Sequence, residues 1–313
     1  MRTTVLALLS LTLPLLAQNT PRQFELKAES PKFWELLDSA AKLEKVAAGF
    51  GFTEGPVWDE RGKFLYVSDE EQNKISRVFP DGRVETFLEL RDPDGAAFDR
   101  RGRLIVCQSK PRKVIAVNPA DGKVTVLAET FEGKKFNSPN DVVLGPDGAL
   151  YFTDPNIDLP KDETQELPYQ GVFRMANDGA LKLLTKDLQE PNGLAFSPDG
   201  KRLYIDDTKT REIHVYDFAN GEVGPGRLFG KEDLPGARGG PDGMKVDRNG
   251  NLFVTGPLGV WVWDSEGHHL GTIVTPEGPA NMAWGGPDFS TLYITARRSV
   301  YRIETKTRGF LQK

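Results

Sequence analysis

The 313-residue chain has one cysteine and three histidines, so it is poor in the residues that staple folds or bind zinc. Cys107 alone makes no internal disulfide. It sits in the apolar run RLIVCQS with no histidine or base beside it, and reads as a small buried hydrophobe rather than a nucleophile. His214 alternates with apolar neighbours in an outer-strand pattern and His268 and His269 follow a turn, positions suited to surface or structural roles. With no Ser–His–Asp or Cys–His set, covalent acyl-enzyme chemistry is disfavoured. A basic surplus is also missing: 40 Lys and Arg stand against 45 Asp and Glu, a net charge of −5 without the electrostatic footprint of a nucleic-acid partner. Beyond residues 1–17 no apolar run is long enough to span a bilayer.

Those first residues, MRTTVLALLSLTLPLLA, join Arg2 to an apolar stretch and end on Ala17, the pattern of a secretory signal peptide. A periplasmic or secreted location is expected, with no membrane partner after cleavage. Residues 18–43 read as a linker and a short helix from about Pro31 to Leu43, with Phe33, Leu36 and Leu37 on one helical face. The main domain is expected to occupy residues 44–313.

What the chain does have is a repeated phrase, a polar residue beside Pro or Gly followed by a short apolar run. It reads TEGPVW at Glu54, PDGAAF at Asp94, PNDVVL at Asn140, PNGLAF at Asn192 and PDGMKV at Asp242, and PANMAW places Ala280 in the same slot. The intervals are 40, 46, 52, 50 and 38 residues, the signature of one supersecondary unit repeated around an axis. The first five phrases are each followed by a turn (DERGK, DRRGR, GPDGA, SPDGK, DRNGN) and an alternating strand such as FLYVSD, LYFTDP or RLYIDD. Asp/Asn-Gly pairs supply the positive φ that such hairpins need. Six units of about four short strands predict an all-β fold, a six-bladed β-propeller of four-stranded blades. The segment KLEKVAAGF (42–50) is the candidate strand that closes the ring from the N-terminal side.

In a propeller the repeat residue starts the innermost strand, so Glu54, Asn140, Asn192 and Asp242 would point their oxygens at the central channel. An isolated Asp or Asn beside Gly would be a turn cap, but the turn glycines recur separately downstream. An all-oxygen set suits a hard divalent cation, with calcium first and magnesium, manganese or zinc as alternatives. A nitrogen-and-sulfur zinc site is excluded by where the histidines lie. Four protein ligands leave room for water and a substrate oxygen. Asp242, or Asp94 in the unit between, could then take the proton as water attacks an ester.

The motifs GFTEGPVW (51–58), SPNDVVLGPDGALYFTDP (138–155), PNGLAFSPDGKRLYIDDT (191–208) and PDGMKVDRNGNLFVTG (241–256) resemble the SMP-30/gluconolactonase/LRE-like family, and the likeness extends over about residues 44 to 306. The resemblance implies a propeller with a cation in its channel and hydrolysis of a small-molecule lactone. It places the family's metal-binding Glu on Glu54, its PNG asparagine on Asn192 and its PDGM aspartate, the favoured general base, on Asp242. The PND asparagine, which contacts metal or substrate, falls on Asn140. Where regucalcin-like members carry a sugar-holding Arg this chain has Ser138. Where many gluconolactonases carry His or Glu it has Gln108, Ser109 and Lys110, so Ser138, Gln108, Asp94 and Asn140 are the candidate substrate contacts. The insert at 156–170 is either a lid over the channel or an inert surface loop. Two other readings stay open, a phosphotriesterase-like hydrolase and a non-catalytic, calcium-stabilised propeller that binds a ligand. The oligomeric state is open.

Overall fold

The computed structural model describes residues 22–311; the expected signal peptide lies outside them. Among the described residues the chain forms six antiparallel sheets in succession, each running from an inner to an outer strand, with a small hairpin (Thr130–Phe131 with Lys134–Lys135) beside the third. The inner strands are Thr53–Asp59, Pro93–Phe98, Val142–Leu144, Pro191–Phe196, Met244–Val246 and Pro279–Gly285. Each carries the apolar run of a repeat phrase. Neighbouring inner strands are in contact around the ring, and the sixth returns to the first. The fold is the six-bladed propeller that the repeats predict.

A ring of separate blades leaves only short, protected edges, and here the N-terminal segment completes the last blade. Glu44–Ala48 pairs antiparallel with Ser299–Glu304 as the outer strand of the sixth blade, as the segment 42–50 was expected to do. The region expected to be a linker does more than connect. Glu25–Ala28 adds a fifth strand to the fifth blade by pairing with His269–Val274. The helix is only one turn, Phe33–Leu36, because Leu37 is already extended (φ −132°) and Asp38 Oδ1 accepts the Ala40 N–H at 2.8 Å to turn the chain. The predicted apolar face is nevertheless buried. Phe33, Leu36 and Leu37 join Phe253, Ile273, Trp284 and Leu292 between blades five and six. Phe33→Ala therefore removes a staple between two blades rather than a surface group. A loss of about 3–5 kcal/mol is expected from the cavity, read as a lowered urea midpoint; an unchanged midpoint would show that the N-terminal segment is a passenger.

The hairpin turns follow the sequence with one difference. Gly102, Gly148, Gly200 and Gly250 take positive φ as expected, but in the first blade it is Lys63 (φ 55°) rather than Gly62 that does so. Cys107 is fully buried, in keeping with its apolar run.

Candidate functional site

The repeat residues sit where the strand ladders are irregular. Register shifts fall between Glu54 and Val57, Pro93 and Ala96, Pro191 and Leu194, and Pro279 and Asn281. A bulge releases a residue from its ladder partner and re-aims it, and in four of six blades it falls at the repeat phrase. Gly55 shows how tightly the first turn is built: its φ is +46°, and an added Cβ would lie 2.2 Å from the Asp94 carbonyl oxygen. Glu54, Asp94, Asn140 and Asn192 are buried, and Asp242 keeps partial exposure.

Hydrogen bonds decide which atom of each side chain remains free. Glu54 Oε2 accepts from the Gly55 N–H at 2.7 Å and the Asn281 amide at 2.9 Å, while Glu54 Oε1 is buried with no donor. Asn192 Nδ2 donates to Thr208 Oγ1 at 3.2 Å, and its Oδ1 is likewise buried without a partner. Asn140 Nδ2 donates to Asp94 Oδ2 at 2.9 Å, which leaves its oxygen to face elsewhere. Each amide is tied through its nitrogen. Asp94, expected as a substrate contact, is occupied in this way and also accepts from Ser109 Oγ at 2.5 Å. Its role in the structure is to orient Asn140.

The charges reach one another. Burial pushes the Glu54 carboxyl up to about 7, against the Gly55 and Asn281 donors that favour its charged form. Asp242 is held well above the usual carboxylate range by its withdrawal from water, then by Glu54, Asp206 and Asp141; neighbouring Asn192 pulls the other way. Burial and the Glu70 and Glu54 charges raise Asp94 as well. Mutually repelling carboxylates and two unsatisfied buried oxygens are costly in a protein interior unless something compensates them. Among the described residues no three His, Cys, Asp or Glu cluster as a metal site. The donors here are two carboxylates and two amides, and that all-oxygen chemistry fits a hard divalent cation. The candidates to hold one are Glu54, Asn140, Asn192 and Asp242.

Other expected contacts serve the scaffold. Gln108 Nε2 donates to the Arg91 carbonyl. Ser138 Oγ donates to the Pro155 carbonyl at 2.6 Å and accepts the Asp158 N–H at 3.3 Å. The second bond ties down the insert 156–170, whose far half is pinned by Glu163 on the buried Arg112 at 2.6 Å. Asp158 thereby stands close enough to raise Asp94 and Glu70, beside the Asp92–Lys110 ion pair. The histidines are elsewhere: His214 meets Glu212, His268 meets Asp264, and His269 stacks on Trp261.

Sequence reasoning missed a second ring one residue on. At that position four repeats carry Gly55, Gly95, Gly193 and Gly243, and two carry Asp141 and Asn281. The glycines make the room. A Cβ on Gly95 would lie 2.4 Å from Asp141 Oδ1, and one on Gly243 would lie 2.1 Å from Asn281 Cγ. The G-G-D-G-G-N pattern was readable, but aligning the sixth phrase on Ala280 passes over it. Lys245 rises into this layer and donates to Asn281 Oδ1 at 3.0 Å. Glu232 was also missed. It is fully buried over Gly256 with both oxygens unpartnered, and burial raises it strongly. A cavity of about 700 Å³, lined by Val57, Ala96, Leu194, Lys245, Trp284 and Phe310, opens at the far ends of the inner strands, and none of Glu54, Asn140, Asn192 and Asp242 lines it.

The chain is 35% identical over 305 residues to a gluconolactonase of Zymomonas mobilis, covering 90% of this chain and 86% of that one. It is 29% identical over 251 residues to a pentonolactonase of Haloferax volcanii, covering 77% and 80%. The solved gluconolactonase of Xanthomonas campestris superposes with a TM-score of 0.83 at 31% identity, covering 90% of this chain and 95% of the other. Residues 52–298 match the model of the SMP-30/gluconolactonase/LRE-like region. With that match spanning most of its length, the chain belongs to the SMP-30/gluconolactonase/LRE-like family.

Proposed function

We propose that this chain hydrolyses a sugar lactone to its open-chain acid, with a divalent cation held by Glu54, Asn140, Asn192 and Asp242. The observation that carries the cation is the pair of buried oxygens, Glu54 Oε1 and Asn192 Oδ1, that no protein donor satisfies. The substrate class rests on the two lactonase relatives and the Xanthomonas structure. A cation so held supplies Lewis acidity for the lactone carbonyl.

The chain's own groups supply the rest. Asp242, partly exposed and raised in pKa, is the base that takes a proton from the attacking water; a raised carboxyl is a stronger base at neutral pH. Asn192 stands against it and favours its charged form. Asn140, its amide fixed by Asp94, presents an oxygen to cation or substrate from a set direction. Glu70 lies within electrostatic reach of Glu54, Asp158, Asp92 and Asp242, which add to the rise that burial gives its carboxyl. We read the insert 156–170 as a roof that selects the sugar, because its Asp158 stands close enough to raise Asp94 and Glu70. Calcium is the favoured cation on donor chemistry alone. Residues 1–17 support export, and N-terminal sequencing of the mature protein tests it.

A pH-stat assay across glucono-, galactono- and xylonolactone, with EDTA and with calcium or magnesium restored, tests the reading. Cation-dependent acid release is expected on at least one sugar lactone. Turnover of paraoxon but of no lactone would move the assignment to phosphotriesters. No turnover of either, with cation bound, would leave a binding propeller.

A further inference from the structure

Glu54 is held in an unusual way for a cation ligand, because one of its two oxygens is already full. Oε2 receives the Gly55 N–H at 2.7 Å and Asn281 Nδ2 at 2.9 Å. Asn281 does not choose this orientation freely. Its Oδ1 accepts both the Met282 N–H at 2.9 Å and Lys245 Nζ at 3.0 Å. An ammonium and a backbone amide only donate, so the carbonyl end of Asn281 must face them and the NH2 end must face Glu54. Lys245 is anchored in turn by the Met244 carbonyl at 2.9 Å. The Asn281 side chain occupies space that Gly243 leaves, so it has little freedom to withdraw. The result is a clamp running Lys245–Asn281–Glu54 between residues far apart in the chain. Only Glu54 Oε1 is left open.

We propose that Asn281, seated by Lys245, is a specificity-determining residue for the cation: by filling Glu54 Oε2 it limits Glu54 to one ligating oxygen. Calcium accepts six to eight oxygens and readily takes a carboxylate through both, whereas magnesium holds to six at short, near-octahedral distances. A one-oxygen Glu54 keeps the coordination number low. The clamp thus narrows calcium's advantage over smaller ions at this ring. The inference rests on the ring being a cation site and not on which ester is cleaved.

The test is the ratio of calcium to magnesium dissociation constants, measured by calorimetry on the whole protein. The ratio is chosen because the Lys245 charge repels both ions alike, and a general loosening of the fold weakens both. Asn281→Ala leaves Oε2 with the Gly55 N–H alone and opens the lone pair that Asn281 fills, and the ratio is expected to move roughly tenfold toward calcium, within the range that outer-layer partners of a metal site command. Lys245→Met should move it the same way, and the double variant should match Asn281→Ala alone. A ratio unchanged in a folded Asn281→Ala protein overturns the clamp. Should that variant not fold, a crystal structure of the calcium-loaded natural protein decides. Ligation through Oε1 alone, with Asn281 still on Oε2, is expected, and two-oxygen ligation with Asn281 displaced overturns the proposal. If the natural protein binds neither ion, it is the cation reading itself that fails.

Discussion

Asp242→Asn lowers kcat for sugar-lactone hydrolysis by roughly 10²- to 10⁴-fold, the range that a positioned general base contributes, while the thermal melt stays cooperative. The substitution keeps the volume and an oxygen in the ring but removes the group that accepts the proton. Asp242 is suited to that task because it combines partial exposure with a carboxyl pushed up by its withdrawal from water and by Glu54, Asp206 and Asp141. Because Asp242 is also a candidate cation ligand, the assay is run at saturating calcium or magnesium, with occupancy checked by calorimetry. A loss that disappears at saturation would make Asp242 a ligand only. Turnover equal to the natural protein's would remove it from the chemistry altogether. Asp94→Asn provides the contrast. Asp94 touches Asn140 and Ser109, so its loss should weaken KM by disturbing Asn140 more than it lowers kcat.

The second large effect is on stability, and its sign follows from the direction of the shifts. Glu54 rises from 4.5 to about 7 on folding, Asp154 rises to about 8, and Asp94, Asp206, Glu232 and Asp242 are all raised, in each case first by burial. A carboxyl with a raised folded pKa binds more protons folded than unfolded, so stability falls as pH rises from the unfolded value through the folded one. For Glu54 alone, 4.5 to about 7 is worth about 3 kcal/mol by pH 8. The EDTA-treated protein is therefore expected to be most stable near pH 5 and to lose roughly 10 °C of Tm by pH 8 on the scaling for a domain of this size. Saturating divalent cation should restore most of that loss at pH 8 and little at pH 5, because the ligands must be deprotonated to bind. A Tm of the chelated protein that is flat or rising over this window would mean that the buried carboxyls are compensated by the protein alone.

How much of this was readable beforehand depends on how far apart the partners lie in the chain. Glu54, Asn140, Asn192 and Asp242 were recognisable because each sits in its own short phrase beside Pro or Gly, and a phrase repeated every forty to fifty residues places itself on a ring without further information. The closing strand at 44–48 was legible for a similar reason, since a propeller needs one outer strand from the other end of the chain. The strand Glu25–Ala28 was not, because its residues gain meaning only against the edge offered by His269–Val274. The helix shrank to one turn because burial of Phe33, Leu36 and Leu37 between two blades, and not helical periodicity, decides that segment's path.

The amino-acid order by itself determined the ring: six phrases and six inner strands, five of the phrases carrying a side-chain oxygen in the repeat slot, because those follow from local turn chemistry and a two-residue strand period. Tertiary structure alone decided which of those oxygens stay free. Asn281 meets Glu54 across 227 residues, Glu163 reaches Arg112 from the insert, and Glu232 fills the space over Gly256 from just past the outer strand Arg227–Lys231. A hydrogen bond is a short-range, directional contact, so its partners are known only when the ring has closed and brought distant blades within three ångströms of one another.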